Sequence, residues 1–389
     1  MDVSKILSLL PESLLTELAD DTAVNRYSKK LQGELVFKLL LHCILSHKDN
    51  SLRTMESAYE SIGFNILNAG RKKQQIRYSS ISERLSTINP VYFEKIYHCC
   101  LEIYGELLHE KTPSIIRFDS TIVALSSKLL KVGYHLKGGD ADHMRQLKFT
   151  IGYSDLPIVA KFYSEQNFNS ENVALRETIL SFEPDKNKGI HVFDRGLNSR
   201  KTYDTLTEKK IPFVTRANTN SKIKEVTGNS IIKPIETSTL LIIRDTVVYM
   251  FSEGSKIAKH PIRFIKCVQK STNEQICFVS NIYDLSAESI TTLYRQRWDI
   301  EVFFKFLKQE LNFSHLINRS ENGIRVMLYA TLIAATLLLV YKKKNNLNGY
   351  KIMKLKFVQE LEKELVKNFV KMCGGDPKKV DNFLNFNSS

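Results

Sequence analysis

The first 110 residues show apolar positions at the three- and four-residue intervals of amphipathic helices. The clearest runs are Lys30–His47, a short segment at 79–85 with serines at its start, and Val91–Leu108. Serine, asparagine and proline occupy positions that are typical of helix N-termini, for example Ser51 before the segment that contains Met55. This pattern predicts a helical N-terminal domain over residues 1–110.

After Pro113 the period changes from helical spacing to β-branched runs bounded by turn residues. The predicted order is three strands, a helix, a strand, a helix and a strand, which indicates a mixed α/β core. The predicted strands cover 114–124, 147–153, 157–163, 189–193 and 211–215, and the predicted helices cover 170–182 and 199–210.

Residues 218–285 contain further strand signals at 240–243, 247–251, 262–268 and 276–279, and we interpret them as a β insertion within the core. The pattern predicts that the α/β core covers 111–217 and 286–345 and that a C-terminal helical region over 346–389 follows. The apolar run Val326–Tyr341 is shorter than the ~20 residues that span a bilayer, so we predict a buried core helix.

The stretch 293–311, LYRQRWDIEVFFKFLKQEL, is predicted to be one helix with an unusual polar stripe. On a helical wheel Tyr294, Arg297, Glu301 and Lys308 share an arc of about 60°, with apolar residues on both sides. An ordinary surface helix keeps its charges opposite the apolar face. Because burial of a carboxylate is costly unless it is paired or metal-bound, Glu301 requires a partner. Two explanations stay open, a structural ion pair with Arg297 and a functional site.

Two further acids stand on predicted strands of the core. Asp119 lies within the first strand, and Asp194 directly follows the strand 189–193. Each could be an ordinary turn or strand-end residue, but sites of α/β cores gather at strand ends. Together with Glu301, the two aspartates could hold two Mg²⁺ ions for attack on a phosphodiester, with Arg297 and Lys308 binding phosphate.

The charge of the chain favours a polyanionic partner, because 56 Lys+Arg stand against 42 Asp+Glu and give a net charge of +14 over 389 residues. A basic surface that serves only solubility is the alternative. Six cysteines without metal or C-x-x-C spacing indicate free thiols in a reducing compartment, and the N-terminus lacks the features of a signal peptide. We therefore expect a cytoplasmic protein that binds nucleic acid.

A basic loop in the N-terminal domain is a second candidate for DNA contact. It contains Arg71, Lys72, Lys73 and Arg77, and a short helix with serines at its start follows. Such a loop suits phosphate contacts. A packing or dimerisation unit is the open alternative for this domain.

The spacing Tyr294–Arg297–Glu301–Lys308 matches the Tyr-Arg-Glu-Lys signature of bacterial insertion-sequence DDE transposases, and YRQRWDIEVFFK resembles their text nearly throughout. The Asp194-Arg195-Gly196 motif, Asp119 in IIRFDST and the β insertion also resemble this family. The resemblance covers roughly residues 80–375. It implies an RNase H-like core, Mg²⁺ or Mn²⁺, and a synaptic homodimer that cleaves at terminal inverted repeats and transfers 3′-OH ends to target DNA.

The resemblance also implies roles for single residues. Asp119, Asp194 and Glu301 would be catalytic metal ligands, and Tyr294, Arg297 and Lys308 would contact phosphates of the double-stranded DNA. For Trp298, stacking on a DNA base and packing in the core stay open, and core packing is favoured; for His143 and Lys148 a structural role is favoured. A catalytically silent DNA-binding protein and an RNase H-like nuclease without strand transfer are the alternative functions.

Overall fold

The computed structural model describes residues 1–47, 50–68, 74–108, 115–125, 134–135, 145–182, 189–226, 234–252, 256–313 and 315–386. The chain forms two compact units. A helical unit contains Met1–His109 and Lys305–Ser389, and a sheet unit contains Glu110–Ser126 and Gly133–Phe304. The last two predicted helices, at 323–341 and 353–372, therefore fall in the unit that contains the N-terminal helices.

Fourteen α-helices are present in the described residues. They are α1 Val3–Ser8, α2 Glu12–Asp21, α3 Gly33–Ser46, α4 Leu52–Glu60, α5 Ile62–Leu67, α6 Tyr78–Thr87, α7 Val91–Leu108, α8 Glu171–Ser181, α9 Arg200–Glu208, α10 Ala287–Arg295, α11 Trp298–Glu310, α12 Glu321–Lys344, α13 Tyr350–Met372 and α14 Lys378–Phe386. A short 3₁₀ helix, Gln166–Asn169, precedes α8.

The N-terminal helices agree with the sequence pattern, and α7 has the predicted bounds. Ser51 caps α4, because its hydroxyl accepts a hydrogen bond from the backbone N–H of Thr54 at 3.0 Å. Arg77 occupies the N-cap position of α6 and its side chain is exposed. The predicted basic loop residues Arg71, Lys72 and Lys73 lie outside the described residues.

Helix α12 is the core of the helical unit. Its residues from Ile324 to Tyr341 are buried apart from Arg325, so the helix is enclosed all round, as its apolar composition requires. It is long and apolar enough to cross a membrane, but 94% of its most apolar window is buried inside the protein. The prediction of a buried core helix is confirmed.

Eleven strands of the described residues form one mixed sheet. They are β1 Ile115–Leu125, β2 Tyr134–His135, β3 Arg145–Ser154, β4 Leu156–Tyr163, β5 Ile190–Phe193, β6 Phe213–Ala217, β7 Ile223–Glu225, β8 Ile235–Glu236, β9 Leu240–Met250, β10 Ile262–Gln269 and β11 Gln275–Ser280.

The strand order along the sheet is β2-β3-β1-β5-β6-β11-β10-β9-β7, with β4 paired to β3 and β8 paired to β9. β1, β5 and β6 run parallel to one another, whereas β3 runs antiparallel to β1. The mixed α/β core is confirmed. The strands of the β insertion continue this sheet through the antiparallel β11–β6 pair. The two strands predicted at 240–243 and 247–251 are one strand, β9, so that detail was wrong.

Alternation along β1 separates the two faces of the sheet. Ile116 and Phe118 belong to an apolar cluster that contains residues of α8 and α9. Ile115 belongs to a different cluster, which contains Ile290 of α10. By the same period of two, Arg117 and Asp119 point to the face of Ile115.

The predicted single helix 293–311 is wrong, because the structure breaks it into α10 and α11 at residues 296–297. At the break the backbone N–H of Arg297 donates to the carbonyl of Tyr294 at 2.9 Å, and that of Ile300 donates to the carbonyl of Arg297 at 3.1 Å. These bonds span three residues, not four, so the chain is wound as a tight 3₁₀ turn. Tyr294 therefore lies on α10, and Glu301 lies on α11.

Candidate active site

Strand register brings Asp119 and Asp194 to the same level of the sheet. In the parallel β1–β5 pair, Phe118 lies directly opposite Phe193, and each aspartate is the next residue along its chain. Neighbouring strands are about 5 Å apart. The two aspartates therefore lie at the same level of adjacent strands where β5 ends, which is the sheet position that α/β proteins use for their sites.

Asp119 is largely enclosed, with a side chain that is 18% exposed. Its Oδ1 accepts a hydrogen bond from the backbone N–H of Ser120 at 2.8 Å, and its Oδ2 lies 4.0 Å from Nη1 of Arg297. Burial raises the pKa of Asp119 to about 6, and the charges of Glu171 and Glu301 raise it as well, while Ser120 and Arg297 oppose the rise. Burial thus disfavours the ionised form of Asp119, and a nearby cation would stabilise that form.

Arg297 joins two of the three candidate acids. Its Nη2 donates to Oε1 of Glu301 at 2.5 Å, and the same guanidinium faces Asp119. Burial lowers the pKa of Arg297, but the hydrogen bond with Glu301 and the negative charges of Glu301 and Asp194 oppose burial, and the pKa is raised overall. The Glu301 side chain is 32% exposed, so it is only partly enclosed. The ion pair between Glu301 and Arg297, one of the two explanations for Glu301, is present, but Asp119 shares it.

Tyr294 forms a hydrogen bond with Asp194, the third candidate acid. Its hydroxyl donates to Oδ1 of Asp194 at 3.0 Å. The ring makes an edge contact with Phe278 on β11, with 5.2 Å between centroids, and Arg297 lies over it at 5.7 Å. Burial raises the pKa of Tyr294, and the neighbouring Asp194 raises it further, so the phenol remains a neutral donor.

Glu171, the first residue of α8, is a fourth acid beside this group that the sequence did not single out. Its carboxylate lies against the backbone of Gly196, where a Cβ atom would come within 2.2 Å of Oε2 of Glu171. Burial raises the pKa of Glu171; Lys148 and Arg297 lower it, and Asp194 raises it. Lys148 is buried on β3 and donates to the carbonyl of Asn169 at 2.6 Å. An acid in the first turn of a helix is common, so no sequence signal distinguishes Glu171.

A cavity of about 550 Å³ adjoins Tyr294 and Arg297. Arg216, Arg295 and Trp298 also line it, together with hydroxyl side chains of the β insertion such as Thr237. Guanidinium groups and hydroxyls are typical ligands of phosphate oxygens. Arg216 and Arg295 were not among the predicted site residues, because single arginines in a strand and a helix carry no pattern.

Comparison with known families gives one match that covers more than half of the chain. Residues 110–337 match the family model described as "Transposase DDE domain". The matched range contains all three candidate acids. The chain belongs to the DDE transposase family.

Three proteins that are similar to this chain have names that describe them as transposases. A protein of Sinorhizobium fredii, y4zB, is 29% identical over 157 residues, which are 40% of this chain and 44% of the relative. A protein of Synechocystis, named for insertion sequence element IS4SA, is 25% identical over 259 residues, or 63% of this chain and 65% of the relative.

The third relative, from Geobacillus stearothermophilus and named for insertion sequence element IS5377, is 37% identical over 86 residues, or 22% of this chain and 23% of the relative. The matches thus span less than two thirds of the length of each relative.

DDE transposases generally use divalent metal ions, and the donor chemistry of the three acids fits such ions because Mg²⁺ prefers carboxylate oxygens. In the described parts of the chain, no group of three His, Cys, Asp or Glu side chains is gathered closely enough to hold a metal ion. Arg297 is the cation that faces Asp119 and Glu301 here. A metal ion between Asp119 and Glu301 would take the place of this guanidinium.

Trp298 and Lys308, two further predicted DNA contacts, both lie on α11. Trp298 is 61% exposed, so the favoured prediction that it packs in the core is wrong. It is the first residue of α11, and the apolar face of that helix is formed by Ile300, Phe303 and Phe304. Lys308 lies two turns beyond Glu301 on the same helix and is exposed. His143 lies outside the described residues.

Proposed function

We propose that Asp119, Asp194 and Glu301 are the catalytic acids of a DNA transposase. The observation that carries this proposal is the β1–β5 register, which aligns the two aspartates, combined with the guanidinium of Arg297, which joins Asp119 to Glu301. The mixed sheet with helices on both faces supports an RNase H-like core. The basic balance of the chain supports a nucleic-acid substrate.

The three acids would hold two divalent ions, Mg²⁺ or Mn²⁺, which supply activation of a water or 3′-OH and stabilisation of the leaving oxygen. Tyr294 keeps one carboxylate oxygen of Asp194 oriented by its hydrogen bond. Arg297 would exchange its carboxylate partners for a phosphate of the DNA, because a guanidinium binds both groups with the same forked geometry. Lys308 and the exposed ring of Trp298 would contact the same DNA.

The substrate we propose is double-stranded DNA that carries the terminal inverted repeats of an insertion sequence. Cleavage at those ends would release 3′-OH groups that attack target DNA within a synaptic homodimer. Residues 1–110 would contribute DNA binding, with Arg71, Lys72, Lys73 and Arg77 on phosphates. Residues 111–217 and 286–345 would form the catalytic core, and 218–285 would act as its β insertion. A protein with this role acts in the cytoplasm and associates with the nucleoid when bound to DNA.

Cleavage of a plasmid that carries the element's ends, in the presence of Mg²⁺, tests the proposal. The variants Asp119→Asn, Asp194→Asn and Glu301→Gln remove one ligand charge each with little change of shape, and each is expected to abolish nicking at the ends. Asp284→Asn, at an exposed acid of the same unit, is the matched control and should cleave like wild type. Wild-type nicking that Glu301→Gln leaves unchanged would refute the assignment.

Two outcomes separate the alternative functions. Specific binding to the ends with no Mg²⁺-dependent cleavage would identify a catalytically silent DNA-binding protein. Cleavage without joined product on a target plasmid would identify an RNase H-like nuclease without strand transfer. In every case DNA affinity should fall steeply with salt, because each phosphate contact releases counterions; a flat response would remove the electrostatic argument.

A further inference from the structure

A buried arginine on β1, Arg117, contacts the segment between α10 and α11, which contains Arg297 and leads to Glu301. Arg117 precedes Asp119 by two residues, so both side chains leave the same face of the strand. Arg117 is 8% exposed. A charged side chain at this depth needs several partners to offset its loss of hydration.

The partners of Arg117 all lie at the junction of α10 and α11, apart from the carbonyl of Ile115. Nε donates to the backbone carbonyl of Gln296 at 2.8 Å, and Nη2 donates to the side-chain Oε1 of the same residue at 3.2 Å. Nη2 also forms an ion pair with Oδ2 of Asp299 at 2.9 Å. One guanidinium therefore binds residues on both sides of Arg297.

These bonds stabilise the break between the two helices. Gln296 is the C-cap of α10, and its carbonyl also accepts the backbone N–H of Asp299 at 3.1 Å. Carbonyls at a helix end lack a full set of partners within the helix. Arg117 supplies the second donor for the carbonyl of Gln296, which helps the chain to turn here and not continue as one helix.

We propose that Arg117 is a positioning residue that couples the strand of Asp119 to the junction that orients Arg297 and Glu301. This inference rests on the proposed catalytic role of the acids. We call the bonds of Arg117 to Gln296 and Asp299 the Arg117 clamp. Because Asp119 is two residues from Arg117 on the same strand, this clamp sets the distance between the aspartate and the start of α11. A lysine could keep the ion pair with Asp299 but has no planar fork for the two bonds to Gln296.

The experiment compares Arg117→Gln with a matched control, Arg263→Gln, in the full chain. Arg263 is also a buried arginine of the sheet unit; its Nε and Nη2 donate to Asp245 at 2.8 Å and 2.6 Å, and Nη1 donates to two backbone carbonyls. Asp245 is only 10% exposed, whereas Asp299 is 55% exposed. The control therefore leaves the more deeply buried unpaired acid, so any general loss of stability should be larger there.

Two measurements separate positioning from a general structural role. The first is the Mg²⁺-dependent cleavage rate at saturating DNA, together with the DNA concentration that gives half of it. The second is the emission of Trp298, which is the only tryptophan of the chain and begins α11 next to the clamped residues. Its fluorescence reports the junction without any requirement for activity.

We expect Arg117→Gln to slow cleavage at saturating DNA about 10²-fold, since a displacement of about 1 Å has this effect in other sites, with little change in the half-saturating DNA concentration. Arg117→Lys should recover part of the rate. Emission of Trp298 should shift in Arg117→Gln and remain at the wild-type wavelength in Arg263→Gln. If Arg117→Gln does not fold, Asp299→Asn, at an exposed acid, should show the same direction of both effects.

The inference is overturned if the Arg117 variants, or Asp299→Asn in their place, match Arg263→Gln in both rate and emission. It is equally overturned if Arg117→Lys is no better than Arg117→Gln while both keep wild-type emission. Failure of the proposed function is a different result, namely wild-type cleavage that does not depend on Glu301.

Discussion

The hydroxyl of Tyr294 on α10 donates a hydrogen bond to Oδ1 of Asp194, at the end of β5, over 3.0 Å. The two residues are 100 positions apart in the chain, and the whole β insertion lies between them. The bond links the first residue of the Tyr-Arg-Glu-Lys spacing to the second aspartate. It therefore makes Tyr294 a support for one of the candidate acids, in addition to the proposed contact with DNA.

Removal of this hydroxyl should weaken the site without disturbing the fold. Tyr294→Phe keeps the ring contact with Phe278 but takes one donor from Asp194. A hydrogen bond to a charged group contributes about 1.5–3 kcal/mol, so we expect a roughly 10- to 100-fold slower Mg²⁺-dependent cleavage. Tyr283→Phe is the control, because its hydroxyl donates to a backbone carbonyl, that of Pro261, at 2.7 Å on an exposed side chain. Equal rates for the two variants would contradict the role given to Tyr294.

Arg297 should compete with divalent ions for the acids. In Arg297→Gln, Asp119 and Glu301 lose their shared cation, so the metal-free protein should be less stable and Mn²⁺ should raise its melting temperature more than in wild type. Ligand stabilisation reaches about 2.7 kcal/mol at 100 times the dissociation constant. Thermal unfolding with and without Mn²⁺ measures the difference. Arg244→Gln, which removes an ion pair with Glu225 on the insertion, should respond to Mn²⁺ as wild type does; the same behaviour in Arg297→Gln would refute the competition.

Gly196 leaves room for the carboxylate of Glu171. A methyl group at residue 196 would lie 2.2 Å from Oε2 of Glu171, so Gly196→Ala must displace that side chain. We expect a loss of about 1–3 kcal/mol in the free energy of unfolding, measured by urea denaturation. In a Glu171→Ala background the same change should have almost no effect, which a double-mutant cycle detects.

The control for that cycle is Gly105→Ala in α7, where a Cβ atom would have no neighbour within 4 Å. Alanine favours a helix over glycine by about 1 kcal/mol, so this variant should be as stable as wild type or more stable. A loss at Gly196 that persists without Glu171 would show that the backbone, and not the carboxylate, is the obstacle.

Burial of His191 should make the fold sensitive to acid. His191 is 3% exposed, its ring stacks on Phe118 with 5.2 Å between centroids, and its Nδ1 has no hydrogen-bond partner among the described residues. Burial lowers the pKa of His191 from 6.5 to about 4. Between these values the unfolded chain binds the proton more readily than the folded one, so stability falls as pH falls through this window.

The expected loss between pH 7.5 and pH 5 is about 2 kcal/mol in the free energy of unfolding. His191→Phe keeps an aromatic ring beside Phe118 and should lose this part of the pH dependence. His98→Gln, at an exposed histidine of α7, should retain it. Urea titrations at the two pH values give the comparison, and an unchanged pH dependence in His191→Phe would show that His191 is not the group responsible.

Local patterns in the sequence were sufficient to predict most elements and to single out the candidate acids. Periodicity predicted α7 and the buried α12, and apolar runs predicted β1 and β5 close to their observed bounds. These predictions succeeded because helix and strand periods follow from local geometry. The position of Asp194 after a short strand and the spacing of Tyr294, Arg297 and Glu301 are also local, so they could be read without coordinates.

The errors concern contacts between distant segments. The break in the predicted helix 293–311 is bonded to Arg117, which lies 179 residues before Gln296. Trp298 is exposed on one flank of the polar stripe, whereas Ile300 and Phe303 on the other flank are buried. A helical wheel separates the two flanks but cannot show which of them the rest of the protein covers. Glu171 enters the site only because α8 begins beside Gly196.

By itself, then, the amino-acid sequence determined the succession of helices and strands, the basic character of the chain and the candidate acids, since each depends on residue type and short-range spacing. Only the tertiary structure decided which charges face one another. The register of β1 and β5, the clamp of Arg117 on the α10–α11 junction and the fourth acid, Glu171, all depend on pairings across more than 50 residues or on packing between elements. Short-range periodicity contains no information about such pairings.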